Sequence, residues 1–256
     1  MPSLGVVIIA QDEERTIGDV LDAVRELADE IVLVDSGSTD RTLEIAASRG
    51  ARVVHQPWLG YAAQKNFALS LAGSEWILSL DADEILTPDL VAEIKQILAG
   101  PLLEKFDGFK IARLMIVGNT PVRHGGFYPD AQLRLFRNGK GRFNDRLVHE
   151  SVQVEGAVHC LKHHLLHRAY KDVSGFQRAH DKYAELAAQE ALRSELKPWK
   201  ASLANELLHP LWTFCYRYFG RGGFLDGGLG LHMNLIYADY VRKKIRYLRR
   251  TLRSSS

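Results

Sequence analysis

The residues best placed to do chemistry stand in Leu80-Asp81-Ala82-Asp83-Glu84. Two carboxylates one residue apart can hold a divalent cation through hard oxygen ligands and leave room for a phosphate. The same pair can equally form a solvated acidic turn, so its surroundings matter. Trp76-Ile77-Leu78-Ser79 completes a short apolar run bounded by polar residues, the pattern of a buried strand. The acids therefore emerge from the carboxyl edge of a sheet. Thr87-Pro88-Asp89 follows with a capping hydroxyl, a proline at the first helical position and an acid in the first turn.

The elements that must position these acids are legible upstream. Residues 4–10 are a continuous apolar run suited to a central parallel strand. Ile17, Val20, Leu21, Val24 and Leu27 then recur at helical spacing. Ile31-Val32-Leu33-Val34 is a second buried strand ending in Asp35, and Ser36-Gly37-Ser38-Thr39-Asp40 supplies the turn and N-cap of the next helix. A third strand over 51–55 and a helix around 62–71 lead to the strand that carries Asp81 and Asp83. Strand and helix alternate with short turns, which predicts an α/β domain with a mainly parallel sheet. Ligands bind such sheets at the carboxyl ends of the strands. The polar residues Asp12 to Glu14, Asp35 to Asp40 and Asp81 to Glu84 collect at those ends. No GxGxxG follows the first strand and no GxxxxGK[ST] occurs, so dinucleotide and P-loop chemistry are weakly supported. Without a glycine-rich amide cradle, a bound pyrophosphate needs another positive charge, which a cation on Asp81 and Asp83 would provide.

The middle of the chain, about 106–170, is less regular, with strand-like runs at 109–113 and 133–137. The loop His124-Gly125-Gly126-Phe127-Tyr128-Pro129-Asp130 lies between them, and His159, His163, His164, His167 and His180 follow. From about Asp172 the pattern is helical, with a second helical segment restarting at Pro198 and a last helix after Asp226-Gly227-Gly228. The reading is a domain over 1–170 and a helical, basic and aromatic extension over 171–256.

Composition is that of a soluble globular protein: 46% hydrophobic and 25% charged over 256 residues. The net charge of +2 hides a split. Residues 1–150 carry 16 Lys and Arg against 22 Asp and Glu, whereas residues 151–256 carry 17 against 9. Met1-Pro2-Ser3 leads straight into a strand, without the pattern of a signal peptide. Cys160 and Cys215 lack any ligand spacing and read as reduced structural thiols in a cytoplasmic protein. No stretch reaches the roughly 20 apolar residues of a membrane span. The last helix sets Leu235, Ile236, Tyr240 and Val241 ahead of Arg242, Lys243, Lys244, Arg246, Arg249 and Arg250. That cluster suits either an anionic bilayer surface or a solvated bundle helix.

Four motifs in order resemble the GT-A fold of family 2 inverting glycosyltransferases. They are the strand before Asp12-Glu13-Glu14, the run Val34 to Asp40, Gly60 to Asn66, and Leu80 to Glu84. Family members commonly carry Asn where Asp12 stands. The later segments Tyr128 to Arg137, Val148-His149-Glu150 and Phe224-Leu225-Asp226-Gly227 resemble the subgroup that glucosylates the inner core of lipopolysaccharide.

The resemblance implies a set of roles. Asp35 would accept a hydrogen bond from the imide of a uracil base, and Glu13 and Lys65 would lie near nucleoside and phosphates. Asp83 would ligate Mg²⁺ or Mn²⁺, with Asp81 touching ribose or metal-bound water, and His167 would join the metal shell. Inversion by direct displacement needs a base for the acceptor hydroxyl, and Glu150 and Asp130 are the candidates, although the family's usual Glu-Asp pair is absent. Arg134 and Arg137 would either hold an anionic acceptor or the leaving diphosphate, or form the exposed face of an edge strand.

These implications describe a metal-dependent hexosyltransferase, cytoplasmic and peripheral on the inner face of the cell membrane. It would move glucose from UDP-glucose to a lipid-linked saccharide, with no nucleic-acid partner. The rivals are a sugar-phosphate nucleotidyltransferase and a non-catalytic nucleotide-binding membrane adaptor. The first would normally show a glycine-rich basic loop after the first strand, where this chain is acidic.

Overall fold

A computed structural model describes residues 1–144, 151–193 and 201–254. The chain forms two compact units. One contains Met1–Leu114 and most of the segment from Asp130 to Arg168, and the other contains Met115–Pro129 and Ala169–Ser256.

The first unit begins β1 (Leu4–Ala10), α1 (Ile17–Val24), β2 (Glu30–Asp35), α2 (Thr42–Ser48), β3 (Arg52–His55), α3 (Tyr61–Ser70) and β4 (Trp76–Asp81). It continues through β5 (Glu84–Leu86), α4 (Pro88–Leu98), α5 (Leu102–Lys105) and β6 (Gly108–Val117). The hairpin strand β7 (Thr120–Pro121) belongs to the second unit, and β8 (Asp130–Arg137), β9 (Gly141–Phe143), β10 (Val152–Val154) and β11 (Val158–Tyr170) complete the strands described. Past Leu114 and Arg168, β6 and β11 are part of the second unit.

The main sheet runs β3-β2-β1-β4-β8-β6-β11-β5. Strands β3, β2, β1 and β4 are parallel, and β8 pairs antiparallel with both β4 and β6. Alternate residues of β1 explain why the run 4–10 is apolar throughout. Val6 and Ile8 pack with α1 and α4, through Ile17, Leu21, Leu90 and Ile94. Val7 faces the opposite layer with Ala62, Ala68, Ile77 and Phe136. Both faces are covered, as a parallel sheet requires. Helix α4 starts as the sequence predicts, with Thr87 Oγ1 accepting from the Leu90 amide at 3.3 Å and Pro88 next in line.

The second unit holds α6 (Val173–Arg193), α7 (Leu203–Cys215) and α8 (Gly227–Ser254), with a π turn over Tyr216–Gly220 and a 3₁₀ turn over Gly223–Asp226. Phe127, Phe176 and Met233 form one of its cores. The His124 loop is fixed to this unit by Asp226. The Asp226 carboxylate accepts from the amides of Arg123 and His124, and His124 Nδ1 lies 2.7 Å from Oδ1. That is the physical content of Phe224-Leu225-Asp226-Gly227. The loop is thereby tied down. Among the described residues no helix is long and apolar enough to cross a membrane.

Candidate active site

The site lies at the carboxyl ends of β1, β2 and β4, where the acids of three loops converge. The loop after β1 is stitched to the turn after β2. Asp12 adopts φ 55°, a left-handed conformation that Asp and Asn tolerate better than other residues. Its amide donates to Ser38 Oγ at 2.9 Å and its carboxylate accepts from the Thr39 amide at 2.7 Å. Asn would satisfy the same backbone demand. Glu13 is anchored through its amide to Thr42 Oγ1 at 2.8 Å, and its carboxylate accepts from Thr16 Oγ1 at 2.9 Å.

Asp35 is 1% exposed and closes the turn after β2. It accepts from the amides of Gly37 and Ser38 and from Ser38 Oγ. Burial opposes its charge, but these hydrogen bonds outweigh burial and hold the carboxyl below the usual range. These hydrogen bonds fix the orientation of the carboxylate that is expected to meet the base. In the Gly60 to Asn66 motif, Gln64 donates to Ser36 Oγ and to the Gln56 carbonyl, and Asn66 exchanges two hydrogen bonds with the Phe143 backbone. This motif fixes loops together.

Asp81 and Asp83 have different surroundings. Asp81 sits over a network of buried charge. Lys65 Nζ is 2.7 Å from one of its oxygens and Arg134 Nη2 is 2.7 Å from the other. Arg134 also donates to Glu84, which is 0% exposed and receives Arg113 Nη1 at 3.2 Å. Arg113 in turn clasps Asp130, with Nε 3.0 Å from Oδ2. Three carboxylates and Glu84's partners Arg113 and Arg134, with Lys65, thus form a self-neutralising cluster. Burial works against the Asp81 anion, but Arg134 and then Lys65 overcome it and drive its pKa well down. Asp81, the residue expected to touch ribose or metal-bound water, is thus held by salt links to Arg134 and Lys65, and Lys65 is itself buried. Arg134 is 4% exposed on a strand between β4 and β6, which corrects the edge-strand reading. Among the described residues, its Nε is the buried side-chain polar atom without a hydrogen-bond partner. Asp130 is likewise committed. Burial raises its pKa, but Arg113 outweighs that and holds it low, the wrong direction for a general base. The other candidate base, Glu150, lies outside the described residues.

Among the described residues Asp83 has no lysine or arginine salt-bridge partner, and it faces His167. The antiparallel pairing of β5 and β11 sets His167 opposite Glu84, and the Arg168 amide donates to the Asp83 carbonyl at 2.9 Å. His167 Nε2 thereby lies 3.5 Å from Asp83 Oδ2. Burial disfavours the imidazolium, but the Asp83 carboxylate prevails and raises the His167 pKa. Glu13 belongs to the same locale. Burial first, then the charge of Asp83, pushes its pKa up to about 7 against the hydrogen bond from Thr16.

The donor set suits a divalent cation of the Mg²⁺ or Mn²⁺ type. An oxygen and an imidazole nitrogen 3.5 Å apart can be neighbouring ligands of one ion. The mutual repulsion of Glu13 and Asp83 marks a local excess of negative charge. Among the described residues no group of three or more His, Cys, Asp and Glu side chains could hold a metal. Two protein ligands, completed by phosphate oxygens and water, is how such ions usually bind at phosphate sites.

Comparison with known proteins identifies the family and the fold. Residues 5–102 match the family described as Glycosyl transferase family 2. The lipopolysaccharide core biosynthesis glycosyltransferase LpsC of Rhizobium meliloti (strain 1021) is 32% identical, over 98% of this chain and 94% of the relative. An uncharacterized glycosyltransferase of Rickettsia bellii is 30% identical, over 92% and 82% respectively. The fold is also that of a Pyrobaculum calidifontis mannosyltransferase solved with GDP-Man and Mn²⁺. The TM-score is 0.55 at 16% identity, covering 96% of this chain and 87% of that one. The chain belongs to glycosyltransferase family 2. Its α/β sheet with C-terminal helices is the GT-A fold, and it is a glycosyltransferase.

Sequence reasoning missed Glu84 and Arg113. Their signal was present but faint: a third acid in Asp81-Ala82-Asp83-Glu84, and an arginine inside an apolar strand run.

Proposed function

We propose that this enzyme transfers a hexose, glucose from UDP-glucose in our reading, with inversion to a lipid-linked saccharide such as a lipopolysaccharide core intermediate. The observation that carries the proposal is the Asp83 and His167 pair at the carboxyl edge of a family 2 sheet. The acceptor class is supported by the 32% identity to LpsC over nearly the whole of both chains. Work at the inner face of a membrane follows from such an acceptor.

Asp83 and His167 would hold a divalent cation, which when bound supplies Lewis-acid neutralisation of the departing diphosphate. Lys65 and Arg134 keep Asp81 charged and fixed beneath that place and lend it rigidity. Glu13, crowded against Asp83, lies on the side where nucleoside and phosphates are expected. The acceptor hydroxyl oxygen attacks the anomeric carbon, the bond from that carbon to the diphosphate oxygen breaks, and the hydroxyl proton passes to a carboxylate. With Asp130 bound to Arg113, Glu150 takes that role in our proposal.

The test is a donor screen with purified protein and a lipid-linked acceptor, scored by nucleotide release. Turnover with UDP-glucose above other donors supports the reading. Metal-dependent UDP binding without turnover on any acceptor would replace it with the adaptor.

A further inference from the structure

The second unit exposes an apolar face that its own packing does not explain. Leu207, Leu208, Leu211, Trp212, Phe219 and Leu225 are each between 61% and 68% exposed. Soluble proteins seldom leave a contiguous apolar patch of this kind uncovered. Within α7 the positions follow helical spacing, so they form one stripe. The stripe runs on through the π turn and the 3₁₀ turn, and Trp212 stacks on Tyr216 with ring centroids 6.3 Å apart. The opposite side of α7 is held to α8: the Glu206 carboxylate, 3% exposed, receives Arg246 Nε and Arg249 Nε, both at 2.7 Å.

We propose that this face of α7 and the two turns after it is an in-plane docking surface for a bilayer with anionic headgroups. The occupant is set by charge and by residue type. Between Leu203 and Leu225 the sequence holds one carboxylate, Glu206, and it is buried in its ion pairs. Asp226 beside the stripe is occupied by His124 and two amides. Among the described residues, the exposed charges within the stripe's segment and on the loop fastened by Asp226 are Arg221 and Arg123. Leucines flanked by Trp and Tyr, with cations and no unpaired acid between Leu203 and Asp226, are what a headgroup boundary accepts. A second copy fits less well. A two-fold interface brings the same patch to itself, and this patch has only cations to offer its twin. The 13 residues of α7 are too short to span a bilayer, so the helix lies along it.

The surface rests on the proposal of a lipid-linked acceptor, but it is tested without one. The wild-type chain and a Leu208→Ser, Leu211→Ser, Trp212→Ser variant are floated with vesicles of phosphatidylcholine and phosphatidylglycerol, and with phosphatidylcholine alone. Sedimentation gives the solution mass of each. All three positions are exposed, so the variant should keep the wild-type circular dichroism. The expected result is partitioning of the wild type onto the anionic vesicles, weakened at least about 100-fold in the variant, with both proteins monomeric. Equal partitioning of the two overturns the proposal, as does a wild type that ignores vesicles. A wild-type dimer that the variant converts to monomer also overturns it and hands the face to a second copy. UDP binding measured on the same samples reads the transferase separately. Its absence in both proteins while the wild type still floats would sink the UDP-donor reading and leave the docking surface standing.

Discussion

At the residue scale, the two acids of Asp81-Ala82-Asp83 divide their work because their neighbours differ. Lys65 and Arg134 saturate Asp81, whereas Asp83 faces an imidazole across 3.5 Å. Asp83→Ala should then lower turnover by about 10²–10³-fold, as loss of one well-aimed charge-stabilising group does, and leave the melting temperature within a few degrees. Retained turnover would remove Asp83 from the metal site. The same locale predicts a pH dependence. The folded protein keeps a proton on Glu13 up to about pH 7, whereas the carboxyl ordinarily loses it near 4.5. The folded state therefore binds more protons in that window, and stability falls as pH rises through it. The raised His167 acts in the same sense: its contribution is full below the ordinary imidazole value and is lost as pH rises through the folded value. Melts of the metal-free protein in chelator should decline from about pH 5 to about pH 8. Glu13→Gln should flatten the lower part of that decline, and parallel curves for wild type and variant would contradict the assignment.

At the scale of elements, the alternation of strands and helices was readable because each apolar run has a length, a period and a cap that agree. Strands β1, β2 and β4 and the start of α4 fall where spacing put them. The pairing of β5 with β11 was not readable. Three residues directly after the acids carry no strand signal of their own, and the pairing joins segments some 80 residues apart. That pairing is what turns His167 from one of several histidines into a neighbour of Asp83. The buried cluster was hidden for a related reason, since Glu84, Arg113 and Arg134 become partners only when β5, β6 and β8 are assembled. Removing its most buried member tests the cluster. Glu84→Ala leaves Arg134 and Arg113 short of a counter-charge and should cost about 3–5 kcal/mol in urea unfolding. A loss below about 1 kcal/mol would mean the cations relax to water or to other acids.

At the scale of the molecule, charge asymmetry along the sequence pointed to the basic residues of α8, whereas the exposed apolar stripe lies on α7. The basic residues of α8 are largely answered internally: Arg242 by Asp239, Lys243 by Asp181 and Asp239, and Arg246 and Arg249 by Glu206. Sequence counts the cations and cannot see their partners. Likewise helical spacing in α7 does not say which stripe is covered, and only burial separates a covered stripe from a bare one. Arg242→Gln with Lys243→Gln should accordingly change partitioning onto anionic vesicles by less than about threefold, far less than the apolar substitutions in α7. A larger loss would return the docking role to α8.

The central claim is that Asp83 and His167 hold a cation that offsets the charge of a nucleoside diphosphate. Calorimetric titration of UDP into the intact chain, with Mn²⁺ and then with chelator, tests it most directly when repeated on Asp83→Asn. The account predicts binding by the wild type that depends on Mn²⁺ and is lost in the variant. Binding that is equal with and without the metal, or unchanged by Asp83→Asn, would contradict it.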